Sequence, residues 1–224
     1  MSKRSLIVVV LVVLSGLVII LACRSRNVTS VQAETTQAAN KLKPSELAPL
    51  TDTSAEVAVT LPYFHRLDEH YIRGSLPAKG GIETLNRLGI KTLVDLRSVY
   101  DHTDDIGLAA ERIGMKYYWL PTSVWDPPTD ARAKEFVQLV SDPSQGPFYV
   151  FCADGLNRVG EMSAIYRVAK SHWTVEQALK EIDDFGFNPY YWNLRAYVFT
   201  YARKYHPKSL PPQARSLSSL EAAD

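Results

Sequence analysis

The sequence predicts an α/β fold with a mostly parallel central sheet flanked by helices. Three observations carry that expectation. Between Tyr71 and Phe151, short apolar runs of strand length alternate with helical stretches of about ten residues, the rhythm of strand–helix–strand crossovers. Gly89 and Gly114 each stand where a helix would stop and a strand begin. The last apolar run, Phe148-Tyr149-Val150-Phe151, leads through a small polar loop into another apolar-periodic helix, reaching Lys170. In parallel sheets, ligands sit beyond the carboxyl ends of the strands, which is where that loop falls.

Lys3 and Arg4 precede an apolar stretch from Leu6 to Ala22, interrupted only by Ser15 and Gly16. It is long for the core of a signal peptide and about the minimum for a membrane helix. Its end, Ile20-Leu21-Ala22-Cys23, resembles a bacterial lipoprotein processing site in which Cys23 would carry lipid. An uncleaved signal anchor is the competing reading. Both make residues 1–23 a membrane anchor and place the rest of the chain outside the membrane, in a bacterial periplasm or at the cell surface. Residues 24–60 are rich in Ser, Thr, Ala, Gln and Glu and lack aromatics, which reads as a disordered linker.

The folded domain is expected over 61–206. Its elements read as strand Tyr71 to Leu76, helix Gly80 to Leu88, strand Lys91 to Leu96, helix Asp104 to Ile113 and strand Lys116 to Leu120. A loop then runs to Asp130, followed by a helix to Val140 and the strand from Phe148. Thr174 and Gln177 have the spacing of a capping box for a helix to Phe185. A last helix, Pro189 to Tyr205, sets Tyr190, Leu194, Tyr197, Val198, Tyr201 and Tyr205 along one face, a stripe expected to pack in the core. The Pro- and Ser-rich tail, 207–224, reads as disordered.

With 25 basic and 24 acidic residues the formal net charge is +1, so global charge offers no case for nucleic-acid binding. The five histidines show no metal-ligand spacing with one another or with Cys152, so no metal site is expected, and no cofactor. Arg73, Asp95 and Arg97 lie at or near strand ends and are expected to form structural ion pairs.

Chemistry concentrates at Cys152-Ala153-Asp154-Gly155-Leu156-Asn157-Arg158. A loop this short, closing into a helix N-terminus, can curl its backbone N–H groups around one tetrahedral anion. Ala153, Asp154, Gly155, Leu156 and Asn157 would form that cradle, with free φ at Gly155. Arg158 would grip two anion oxygens. Cys152 beneath a bound phosphate would be the nucleophile of covalent phosphoryl transfer. The leaving oxygen needs a proton donor. Asp126 in Trp125-Asp126-Pro127-Pro128 is the candidate acid, on a stiff loop whose Trp can exclude water. Asp130 is expected to cap a helix. Asp154 would repel a phosphate dianion, so it should face away or serve as a donor itself.

This loop and its flanks resemble the Cys-dependent protein tyrosine phosphatases, in particular their small bacterial and fungal dual-specificity-like branch. The resemblance covers most of 63–205. It includes Tyr71-Ile72-Arg73-Gly74-Ser75-Leu76-Pro77, Leu88 to Arg97, Ala164-Ile165-Tyr166-Arg167 and the stretch from Trp173 to Phe187. It implies a dual-specificity phosphatase-like fold and hydrolysis of a phosphorylated protein or small phosphomonoester through a cysteinyl-phosphate. The chain departs from the family at Phe151, where His is usual, and at Val159, where Ser or Thr is usual. Both changes remove hydrogen bonds near the sulfur, so a higher thiol pKa and slower turnover are expected. Two other readings stay open: a phosphate-binding pseudophosphatase, and a rhodanese- or arsenate-reductase-like enzyme.

Overall fold

The computed structural model describes residue 51 and residues 54–212. The expected anchor with Cys23, most of the linker and the end of the tail lie outside the described residues.

Along the chain, α1 (Ala55–Thr60) leads to β1 (His65–Arg66), β2 (Tyr71–Ser75) and α2 (Gly81–Arg87). Then come β3 (Thr92–Asp95), α3 (Asp105–Arg112), β4 (Lys116–Trp119), α4 (Asp130–Val140) and β5 (Phe148–Cys152). Three helices close the domain: α5 (Asn157–Lys170), α6 (Val175–Asp184) and α7 (Trp192–Tyr205), before a short 3-10 turn at Pro207–Ser209.

The five strands form one mixed sheet in the order β1-β2-β5-β3-β4. β2, β5, β3 and β4 run parallel, and β1 adds a short antiparallel edge that was not predicted. β5 is central, and every one of its residues is buried. Its alternation divides the core. Phe148, Val150 and Cys152 pack under α4, α5, α6 and α7, whereas Tyr149 and Phe151 face the layer built by α1, α2 and α3. Parallel strands buried on both faces read as continuous apolar runs, as this one does.

Two boundaries differ from the sequence reading. Helix α1 falls inside the stretch read as linker, yet Val57 and Leu61 are each 1% exposed in the smaller core layer. One buried side chain per turn is too sparse a signal to register as periodicity. At the other end Leu210 is 2% exposed and joins the larger core, so the folded part continues past His206. The capping box at Thr174 and Gln177 is present. Asp130, by contrast, is not the cap of α4. Thr129 holds that position and its Oγ1 accepts from the Arg132 N–H. Asp130 instead accepts from the Tyr197 and Tyr205 hydroxyls at 2.8 Å and pairs with Lys204, pinning the start of α4 to α7. Among the described residues, no helix is long and apolar enough to cross a membrane.

Candidate active site

The loop between β5 and α5 lies where its two neighbours make room for it. Gly155 has φ +74°, and a Cβ there would stand 2.6 Å from the Ser75 backbone N. Only glycine satisfies both the conformation and the approach to β2. Gly74 does the same service below, since a Cβ on it would meet the Tyr149 hydroxyl at 2.0 Å. That hydroxyl donates to the Ser75 carbonyl at 2.8 Å and fixes the strand end under the loop.

Arg73 holds the loop from beneath. It is fully buried, and its Nη2 donates to the Gly155 carbonyl at 2.9 Å and the Leu156 carbonyl at 3.1 Å. Those bonds fix the two carbonyls toward β2 and brace the loop from that side. Among the described residues Arg73 does not make the expected ion pair: it donates to loop carbonyls, packs its guanidinium over the Phe185 ring, and leaves Nε and Nη1 without partners there. Burial depresses its pKa, opposed by the fields of Tyr71, Cys152, Glu181 and Asp154. A guanidinium stays charged through such shifts, so Arg73 is a cation placed under the thiol. Asp95 and Arg97 do pair, at 2.7 Å and almost wholly buried, as expected.

Cys152 is fully buried at the base of the loop. Its Sγ donates to Asp154 Oδ1 at 3.1 Å. Asp154 therefore turns toward the sulfur rather than away, because the tight turn at Gly155 lets its carboxylate also accept from the Leu156 N–H and the Asn157 amide. Burial, with the Asp154 charge next, pushes the Cys152 thiol up to about 11, against weaker downward pulls from Arg158 and the Val159 N–H. The direction agrees with the expectation from Phe151 and Val159, but its causes are burial first and the Asp154 charge second. Phe151 sits on the opposite face of β5, stacked near Tyr149 and Arg97. Val159 is buried in the core.

Arg158 leaves the start of α5 and is only 7% exposed. Its Nη1 and Nη2 donate to the two carboxylate oxygens of Asp101 at 3.2 and 2.8 Å. Asp101 is steadied by the Ser98 hydroxyl at 2.6 Å. Burial would raise the Asp101 carboxyl, but its hydrogen bonds from Arg158 and Ser98 prevail and hold it below the usual value. Nothing in the sequence pointed to Asp101, because it reaches Arg158 across a long span of chain and carries no motif.

Arg158, Asp101 and Asp126 line one cleft of about 490 Å³, walled also by Ser98 to Tyr100 and Pro121 to Trp125. The structure thus brings Asp126 to the same opening as Arg158. Its loop is fastened at Ser123, whose Oγ accepts from the Trp125 and Asp126 N–H groups. Among the described residues, no cluster of three His, Cys, Asp or Glu could hold a metal ion.

Such a loop, between a buried parallel strand and a helix and with Cys at one end and Arg at the other, is a layout that can cradle a tetrahedral anion over a thiol. Residues 56–188 match the family described as a DSP-PTPase phosphatase fused to NAD+ kinase, and the chain belongs to that family, within the protein tyrosine phosphatase superfamily. It is 29% identical over 141 residues to the dual specificity protein phosphatase TpbA of Pseudomonas aeruginosa, a match covering 62% of each chain. The chain therefore spans less than two thirds of that relative's length. A crystal structure of a cysteine-to-serine variant of TpbA in complex with pTyr superposes with TM-score 0.53 and 26% identity, covering 61% of this chain and 82% of that one. The core catalytic domain of the PP-IP phosphatase SIW14 from S. cerevisiae shares the fold, with TM-score 0.54 at 14% identity over 73% of this chain and 94% of its own.

Proposed function

We propose that the chain is a Cys-dependent phosphatase that hydrolyses phosphate monoesters, with phosphotyrosine or a dual-specificity protein substrate favoured. The observation that carries this reading is the grip of Arg158 on Asp101. A pair of carboxylate oxygens is held by both Nη atoms, in a cleft that Arg158, at the end of the Cys152 loop, shares with Asp126. A guanidinium set to hold two oxygens of one planar anion is equally set to hold two oxygens of a phosphate.

In the proposed reaction a phosphate dianion displaces Asp101 from Arg158 and settles against the N–H groups from Ala153 to Arg158. The Cys152 proton passes to Asp154 Oδ1, to which Sγ already donates, and the thiolate attacks phosphorus as the P–O ester bond breaks. Asp126 gives its proton to the leaving oxygen. Water then attacks the cysteinyl-phosphate, the P–S bond breaks, and inorganic phosphate leaves with the thiolate restored.

The test is hydrolysis of para-nitrophenyl phosphate and a phosphotyrosyl peptide by the purified chain and by Cys152→Ser. Turnover by the unsubstituted chain, and loss of at least about a thousandfold in the variant, is expected for removal of a nucleophile. Equal rates would end the phosphatase reading. Substrate preference rests on charge. The cleft and loop together carry Asp101, Asp126 and Asp154 against Arg158, which gives little compensation for a second or third phosphate. The pTyr complex of TpbA points the same way for a relative.

Membrane tethering through residues 1–23, with Cys23 as the lipidated residue and the catalytic domain exported, belongs to this proposal on the sequence pattern alone. Partition of the full chain into the membrane fraction, lost when Leu6 to Ala22 is deleted, is the expected result. A deletion that leaves the chain in the membrane fraction would overturn it.

A further inference from the structure

Beside the phosphate cleft lies a second cleft of about 410 Å³, lined by Trp125, Pro189, Tyr190, Tyr191, Trp192 and Asn193. Trp125 walls both. A group attached to a phosphate bound at Arg158 would therefore cross the Trp125 ring into the second cleft. The rings here are unusually open: Trp125 is 66% exposed, Tyr190 70% and Trp192 71%. Tyr190, expected in the core stripe of the last helix, instead precedes α7 and stands at this rim.

The platform is ordered by contacts of its own. Trp125 meets Tyr190 and Tyr191 edge to face at 6.5 and 5.8 Å between centroids, and Tyr190 meets Tyr191 at 5.6 Å. It is also fastened to both halves of the site. Asn157, beside Arg158 at the start of α5, accepts from the Asn188 N–H at 2.9 Å. Asn193 Nδ2 donates to the Trp125 carbonyl at 2.6 Å, on the loop that carries Asp126.

The lining selects its guest. It contains no charged side chain. Its one amide, Asn193, donates to the Trp125 carbonyl, and Asn188 beside the cleft holds the Tyr190 N–H at 3.0 Å. A charged guest would lose water without gaining an opposite charge, whereas a flat or branched apolar guest gains ring contact. Successive side chains of an extended peptide are ~3.3–3.6 Å apart, so a residue one or two positions from a bound phosphotyrosine reaches past one ring. Resting on the phosphatase reading above, we propose that this cleft is a substrate subsite for an aromatic or aliphatic side chain flanking the phosphotyrosine of a polypeptide substrate.

The full chain is assayed on matched phosphotyrosyl peptides whose flanking residues are Phe, Gly, Glu or Lys, with para-nitrophenyl phosphate as a substrate too small to reach the subsite. The Phe peptide should exceed the Gly peptide in kcat/KM by on the order of tenfold, with Glu and Lys giving no gain. Tyr190→Ala and Trp192→Ala, both at exposed positions, should bring Phe down to Gly while leaving para-nitrophenyl phosphate turnover within about twofold. Equal rates for all peptides, or a preference that survives both variants, overturns the subsite. If nothing is hydrolysed, including para-nitrophenyl phosphate, the phosphatase reading has failed separately. The same peptide ranking, read as affinity by fluorescence anisotropy, then decides the subsite. Loss of binding to phosphatidylcholine vesicles in Trp192→Ala, with peptide ranking intact, would make the rings a lipid contact and overturn the inference.

Discussion

Arg73 and Arg158 stand on opposite sides of one loop and are held in opposite ways. Arg73 lies beneath, buried, bonded to backbone carbonyls and with no carboxylate against it. Arg158 lies in the cleft with its fork filled by Asp101. The first arrangement is permanent, because its partners are main-chain atoms that cannot leave without unmaking the loop. In the proposed reaction the second is exchangeable, because an incoming dianion would offer the fork two oxygens with more charge. The same separation divides the thiol's surroundings. The Cys152 thiol itself donates to Asp154, and the Arg158 charge pulls the other way on it. The difference teaches that the loop is braced from below by main-chain bonds, while the Arg158 fork is held only by a side chain.

Removing the permanent half should have the largest effect. Arg73→Met keeps the volume, deletes both carbonyl bonds and relieves a buried charge that has no counter-ion. These two stability effects oppose each other, so the net change in unfolding free energy should stay within about 2 kcal/mol. The Gly155 and Leu156 carbonyls, however, lose the anchor that braces the loop. Activity should fall by about a hundredfold or more in kcat/KM, with Arg73→Lys recovering part of it. A variant that loses activity only in proportion to its loss of folded protein would make Arg73 a core residue and nothing more.

Relieving the exchangeable half should have a smaller and opposite effect. Asp101→Asn leaves one acceptor near Arg158 but removes the competing charge. The inhibition constant for inorganic phosphate should drop by roughly three- to tenfold and KM should follow it, with kcat little changed. A rise in KM together with a fall in kcat would show that Asp101 positions Arg158 rather than competes for it.

How much of this was legible in the sequence depends on the reach of each interaction. The strands and helices of the domain were found to within a few residues, since Gly89, Gly114 and the apolar runs mark their ends locally. Cys152, Arg158 and the loop between them announce themselves by spacing, and Asp126 by its neighbours. What escaped was decided across the fold. Asp101 meets Arg158, Arg73 meets the loop carbonyls, and Asp130 meets α7, all through contacts between distant segments. The short β1 and α1 lacked the length for a period to show. Glu161 also escaped: it sits inside the helix after the loop, fully buried with neither oxygen partnered, and burial drives its carboxyl well above the usual range. A polar letter in an apolar-periodic helix reads as a solvated face, and here that rule fails.

The smallest expected effect concerns the thiol itself and sharpens the contrast between the Asp154 and Arg158 charges, which act on it in opposite directions. Cys152 holds its proton up to about 11, mainly through burial and then through Asp154. Its unfolded value lies lower, so between roughly pH 9 and pH 11 the folded chain binds more protons than the unfolded one. Stability contributed by this group is fully present below that window and is lost as pH rises through it, by about 2–3 kcal/mol at most. In a Cys23→Ser background, ultraviolet thiolate absorbance should therefore appear only at strongly alkaline pH. Asp154→Asn removes the nearby charge while keeping an oxygen for the Leu156 N–H. It should move the thiolate transition downward and flatten the alkaline loss of stability, measured as the difference in Tm from a Cys152→Ser control. The same variant should raise kcat/KM a fewfold at neutral pH, since a larger share of the enzyme then carries the nucleophile. A thiolate transition that does not move in Asp154→Asn would assign the raised pKa to burial alone, leaving Asp154 as a strut of the loop.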